Sequence, residues 1–295
     1  MMDSYTVNCD AVRITEPPPG VCRLPLICDS PHSGTNYPAD FVTRVPRKQL
    51  RLAEDTDVDA LWEAAPRHGA VLLAAQFPRA YIDANRAVDD LDPAILAGHW
   101  PTALHPTEKS RLGYGLVWSR VAADLPLYDQ PLPAAMVRSR IERCWKPYRA
   151  ALSAATARAA AEFGAIWHLN LHSMPSNAYQ KLGIVPTRPL ADFVLGDRDG
   201  TTCESMLVSV IESSVRAHGY TVARNDPYKG AALIAEIGNP GKGFHSLQVE
   251  VRRGLYMDEV TRERTAGFAA LQSCMEDILA AVSAYVRSQL PAPTT

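Results

Sequence analysis

Short apolar or alternating runs, each closed by Gly, Pro or Asp, recur along the chain. They predict strands over residues 24–28, 70–76, 80–85, 165–171, 192–195, 220–223, 233–237 and 246–251. Between them the apolar positions follow helical spacing in RKQLRLAEDTDVDALWEAAPRHG (47–69), MVRSRIERCWKPYRAALSAATARAAAEFG (136–164), CESMLVSVIESSVRAHG (203–219) and a long last stretch over about 258–290. The first three close on glycine, which adopts the left-handed conformation that ends a helix at little cost. Strands alternating with helices predict an α/β fold, a three-layer αβα sandwich around a mixed, largely parallel sheet. In such sheets ligands collect beyond the carboxyl ends of the strands.

Residues 87–133 break this rhythm. They are rich in Pro, Gly and Asp and too long for a plain connection, so an excursion covering the site is expected there. The EPPPG stretch near the start reads as an ordered lead-in and the final LPAPTT as a loose tail. At 47% hydrophobic and 21% charged, the 295 residues can bury a large core, as one domain or two closely packed lobes. Thirty basic against 32 acidic side chains leave a net charge of -2. No global field draws nucleic acid or a membrane surface, so an anionic ligand must be met by local arginines. The six cysteines lack CxxC spacing and read as reduced thiols. With no apolar leader and no apolar run of membrane length, a soluble cytoplasmic protein is expected.

Two histidines leave predicted strands in the same way, His32 in PHSG and His172 in LHSM. Alternation puts His168, Asn170 and His172 on one face of their strand. Alone, each would more often be a structural histidine. As a pair at a sheet edge they point to metal ligation, because neutral imidazole is the commonest zinc ligand. A hydrolytic zinc takes three protein ligands and keeps a place for water. AEDTDVDALW offers Glu54, Asp55, Asp57 and Asp59 for the third, although carboxylates also suit a helix start. Glu250 shares a face with Gln248 in a strand of otherwise apolar character, where an acid is costly unless paired or functional, and it is a candidate general base. In FPRAYIDANR, Asn85 and Arg86 could hold a substrate carboxylate, and Arg79 could join them or polarise a carbonyl, against the plainer reading of surface salt bridges. GDRDG (196–200) reads as a turn, and in RNDPYKG (224–230) Tyr228 or Lys229 could reach a cleft. Phosphate-loop, dinucleotide-binding and serine-elbow motifs are missing.

Seven blocks, SPHSGTNYP, EDTDVDALW, FPRAYIDANR, NLHSMPS, FVLGDRDG, NDPYKG and LQVEVRRGLYMDE, stand in an order that resembles the N-formylglutamate amidohydrolase family over residues 24–285. The resemblance implies a single zinc-hydrolase domain, phosphorylase/hydrolase-like and similar to the zinc carboxypeptidases and aspartoacylases. It implies one Zn2+ held by His32, Asp55 and His172, with Asp59 in reserve for the carboxylate. Glu250 becomes the general base and Arg79 a catalytic, carbonyl-polarising residue, while Asn85 and Arg86, with Tyr228 beside them, bind substrate. The implied reaction splits N-formyl-L-glutamate into formate and L-glutamate, in histidine degradation. A zinc amidase for another N-acyl amino acid or small peptide is the first alternative, and a silent binding protein for an acidic metabolite the second. One departure stands out: the position two before His172, commonly acidic in the family, is Asn170. Ser33-Gly34 is expected to turn the backbone away from the metal without crowding the cleft.

Overall fold

Eight strands form one mixed sheet in this computed structural model, which describes residues 6–8, 10–122 and 124–291. They are β1 (Thr6–Asn8), β2 (Val12–Thr15), β3 (Leu26–Ser30), β4 (Val71–Ala75), β5 (Ile166–Met174), β6 (Phe193–Gly196), β7 (Val222–Arg224) and β8 (Phe244–Arg252). Their order across the sheet is β1-β2-β4-β3-β5-β8-β6-β7. The middle four, β4, β3, β5 and β8, run parallel, and antiparallel pairings join β2 to β4 and β6 to β8. Parallel strands are buried on both faces, and here β4 is wholly apolar while β5 and β8 alternate apolar residues with buried His, Asn, Gln and Glu.

Helices cover both faces, as a three-layer sandwich requires. On one side lies α1, which runs through Ala134–Arg140, a π-helical Ile141–Trp145 and Lys146–Phe163. It packs Val137, Ile141, Tyr148 and Leu152 against Ile27, Val71 and Leu73. On the other side α2 (Ser205–Ala217) and α4 (Gly267–Gln289) bury Leu207, Ile211, Leu271 and Ile278 against Leu26, Leu169, Leu171 and Val249. The three glycine terminators fall where expected: Gly69, Gly164 and Gly219 take φ of 87°, 71° and 80°.

Several expectations are corrected. The 80–85 segment is a series of turns rather than a strand, because Asp83 accepts the Asn85 amide in a local Asx bond that competes with sheet pairing. Residues 233–237 belong to a helix, α3 (Ala232–Ile237); a short apolar run fits either element, and it lacks the β-branched majority of a strand. The 47–69 stretch is broken into the short helices Arg47–Leu50, Arg51–Ala53, Val58–Leu61 and Ala65–His68, with Asp57 left-handed at φ 63° between the second and third. The last helix starts at Gly267 rather than near 258, since Asp258 folds a turn by accepting the amides of Val260 and Thr261. β2 carries no signal that sequence patterning detected.

The excursion after residue 87 is closed at its base where Leu96–Ala97 pairs with Leu132–Pro133. It folds back on the turns that precede it through Asp83 N–H to Leu116 O (2.7 Å), and Leu116 N–H closes the excursion on itself at Asp90 O (2.8 Å). GDRDG is a turn, with Asp197 accepting from Gly200 N at 2.9 Å. Cys22, Cys28, Cys144, Cys203 and Cys274 are free thiols. Cys9 and the last four residues of the tail lie outside the described residues. No helix among the described residues is long and apolar enough to cross a membrane.

Candidate active site

The carboxyl ends of β3, β5 and β8 deliver the site. β3 runs into the turn that carries His32, β5 carries His172, and in the parallel register of β5 and β8 Glu250 is the direct neighbour of His172. Gly34 is needed for a reason other than room in the cleft. A Cβ there would lie 2.3 Å from the Phe77 carbonyl oxygen, so the turn after His32 can pass the loop after β4 only without a side chain.

His32, Asp55 and His172 are buried together and their ligand atoms lie within 4.8 Å of one another. His32 Nδ1 is 3.1 Å from His172 Nδ1, and Asp55 Oδ2 is 3.3 Å from the first and 3.0 Å from the second. The outer ring nitrogens are committed elsewhere. His32 Nε2 lies 2.7 Å from Asp83 Oδ1, a carboxylate to which it donates when protonated, and His172 Nε2 lies 2.7 Å from Asn170 Oδ1 and 3.0 Å from Asn85 Nδ2. Asn170 is oriented in turn by Asp29, whose carboxylate accepts from its Nδ2 at 2.7 Å. Both inner nitrogens face an anionic oxygen, to which each can donate a proton or, with its proton on the outer nitrogen, present a lone pair to a shared cation. Three acceptors so close repel one another unless a cation or a proton sits among them. The edges match a tetrahedron around zinc, about 3.3 Å for bonds of about 2.0–2.1 Å. The donor set fits a divalent ion, with outer carboxylates and amides of the kind that orient metal-binding histidines.

The surrounding charges are arranged to keep this set deprotonated. Burial alone would raise the Asp55 carboxyl, but hydrogen bonds with His172 and His32 and the charges of Arg79 and Arg253 hold it well below the usual range. Burial lowers the His172 imidazole to about 4, which keeps it neutral near pH 7. Arg253 is a participant that sequence reading passed over. Its Nη2 donates to Asp55 Oδ1 at 2.6 Å and to the Ser173 carbonyl at 3.0 Å, leaving Oδ2 for the histidines. Its place three residues beyond the β8 acid, in VEVRR, is a signal that could have found it. Asp83 was likewise visible only as one of an alternating trio. It accepts from Arg79 Nη2 at 3.0 Å as well as from His32.

Glu250 is buried, and burial together with the Asp55 charge raises its carboxyl to about 8. Gln248 Nε2 donates to it at 2.9 Å. Tyr228 is partly buried, and its phenol is pushed up by burial and by the charges of Glu250 and Asp55. Lys229 turns away to Asp199 at 2.8 Å. Arg79 places Nη1 3.6 Å from Asp55 Oδ1 and lies over the Trp118 ring at 5.0 Å. Asn85 is buried and used within the fold: Nδ2 donates to Asn170 Oδ1 at 3.1 Å, and Oδ1 accepts from Leu233 N at 3.0 Å. Arg86 donates Nε to the Tyr114 carbonyl at 3.1 Å and forms no ion pair among the described residues. Lys109, brought in by the excursion, is a third cation of this group, lowered by burial and then by the charges of Arg86 and Arg79. Of the other acids in its block, Asp59 pairs with Arg13, Asp57 with Arg264 at 2.9 Å, and Glu54 with Arg51 at 3.2 Å, so Asp55 alone of the four joins the cluster.

Known proteins share this arrangement of sequence and fold. A crystal structure of N-formylglutamate amidohydrolase from Ralstonia eutropha JMP134 is 58% identical, covers 95% of this chain and 99% of its own, and superposes with a TM-score of 0.93. N-formylglutamate deformylase of Pseudomonas aeruginosa is 30% identical over 80% of this chain and 84% of its own length. The Pseudomonas putida protein of the same name is 29% identical over 80% and 83%. The sequence also matches the family profile described as N-formylglutamate amidohydrolase over residues 24–257, and with histidines, aspartate and glutamate gathered at one sheet edge, the chain belongs to the N-formylglutamate amidohydrolase family.

Proposed function

We propose that the protein hydrolyses the formyl amide of N-formyl-L-glutamate, releasing formate and L-glutamate, with one zinc ion held by His32, Asp55 and His172. The observation that carries this reading is the convergence of two imidazole nitrogens and a carboxylate oxygen at 3.0–3.3 Å beside a buried glutamate. The zinc would supply a Lewis acid that makes water nucleophilic near neutral pH and polarises the formyl oxygen.

The chain's own residues would do the rest. Glu250 takes the proton of the attacking water as its oxygen bonds to the formyl carbon, then returns it to the nitrogen as the C–N bond breaks. Its pKa of about 8 reflects its protein neighbours only, and a cation on the adjacent ligands favours the ionised form a base requires. Arg79 faces the developing oxyanion from the Asp83 side. Arg86 and Lys109 form an excess of positive charge free of carboxylate partners among the described residues, suited to an acidic amino acid. The Tyr228 hydroxyl is a further donor beside Glu250. Asn85 acts through Asn170, holding the amide that orients His172, rather than by gripping substrate. In this reading the chain works as a single cytoplasmic hydrolase domain in histidine degradation, and the 87–133 excursion covers the site.

Turnover of N-formyl, N-acetyl and peptidyl derivatives of glutamate and aspartate, compared by kcat/KM, tests the substrate. N-formyl-L-glutamate is expected to lead the panel. A higher kcat/KM for an acetyl or peptidyl member would make the protein a different amidase.

A further inference from the structure

Outside the ligand cluster lies a recess of about 490 Å3 lined by Thr35, Arg47, Lys48, Arg51, Thr261 and Arg262. Four of the six are cations and none is an acid. Arg262 is the unusual member: it is 5% exposed, its backbone is left-handed at φ 66°, and its Nε has no partner. Its Nη2 donates to the Glu54 carbonyl oxygen. It forms no ion pair with a carboxylate among the described residues, and burial with the neighbouring Arg253 guanidinium pulls it down to about 10. A desolvated guanidinium without a counter-ion is costly.

The nearby acids are occupied. Glu54 accepts from Tyr37 at 2.7 Å, Arg51 at 3.2 Å and Thr56 at 3.0 Å. Asp258 accepts the amides of Val260 and Thr261. Arg47 donates to the Thr35 carbonyl at 3.1 Å and lies 4.4 Å over the Tyr37 ring, with no carboxylate of its own. Lys48 has no ion-pair partner among the described residues. Thr261 Oγ1 accepts from Glu263 N at 3.3 Å, and its hydroxyl bonds to the Asp258 carboxylate.

We propose that this recess binds a phosphate dianion, free or carried on a small organic group, between Arg47, Lys48 and Arg262, with the hydroxyl of Thr35 as a further donor. One guanidinium fork satisfies a single carboxylate. Three cations without carboxylate partners and a hydroxyl call for more charge and more acceptor oxygens than that. The site is separate from the reacting centre and does not depend on the proposed reaction. Its walls nevertheless belong to the loops of His32 and Asp55, through Thr35 on one side and the Arg262 bond to Glu54 on the other, so a bound dianion braces both.

Isothermal titration calorimetry of the purified protein with its own metal content, at fixed ionic strength and with chloride as control, tests the site. Inorganic phosphate and glycerol 3-phosphate are the probes, and the tighter of the two tells whether the free or the carried dianion is the better ligand. A saturable one-to-one isotherm is expected, weakened about tenfold by Lys48→Ala and further by the double change with Arg47→Ala. Both side chains are exposed, so circular dichroism should show folded variants. Arg262→Gln, where it folds, should abolish binding. No heat beyond the chloride control overturns the proposal. So does undiminished binding in the double variant, which would put phosphate on the metal centre instead.

Discussion

At the scale of single residues, the site is a set of atoms prevented from facing the wrong way. Asp29 fixes the Asn170 amide, Asn170 fixes His172, and Asp83 fixes His32. An asparagine thus stands where the family resemblance leads one to expect an acid, and the carboxylate is displaced one step outward, to Asp29. Asn170→Ala should leave the fold intact and weaken metal binding about 10–100-fold, read by competition with a chromogenic chelator. An unchanged affinity would mean that His172 needs no such support. Glu250→Gln is isosteric and keeps the Gln248 contact within reach. It should cost about 10²–10⁴ in kcat while bound metal, measured by atomic emission, stays at the wild-type level. Wild-type turnover in a metal-loaded Glu250→Gln protein would remove Glu250 from the base role.

At the scale of elements, the strands that form the centre were the most legible part of the sequence. β3 and β4 are short, largely apolar runs and β5 and β8 alternating ones, and the shared face of His168, Asn170 and His172 follows from that alternation, with Ser246, Gln248 and Glu250 as their register partners. What patterning misread are segments held by side-chain bonds rather than by periodic burial. FPRAYIDANR alternates like a strand, yet it is turned by its own Asp83 and by the excursion bond to Leu116. The choice of Asp55 among four nearby acids came from family resemblance, because periodicity cannot see that its helix is broken by a left-handed Asp57. Arg253 and Lys109 escaped notice because their roles depend on contacts across long stretches of chain. Two element-level outcomes are expected. Gly34→Ala must push apart the turn after β3 and the loop after β4, costing on the order of 2 kcal/mol in denaturant unfolding. A cost near zero would show that the loops yield freely. Lys109→Ala, on the excursion, should raise KM about tenfold with kcat little changed, as expected for lost binding of a substrate carboxylate; an equal loss in kcat alone would assign it elsewhere.

At the scale of the whole molecule, two helical layers clamp a sheet whose buried core ends in a row of charges, and the acid at that row makes stability depend on pH. With chelated protein, the Glu250 carboxyl lies at about 8 against an ordinary value of 4.5, so the folded state favours its protonated form. That contribution is fully present below about 4.5 and is lost as pH rises through about 8. Chelated wild type should therefore lose stability relative to chelated Glu250→Gln across this window, followed by urea midpoints; a constant difference would contradict the raised pKa. The buried ring nitrogens have a consequence for time as well as for energy: both imidazoles already face one another and Asp55, so an ion taken up there would be met without a ring having to turn over, and its uptake rate should rise in proportion to ion concentration without a plateau.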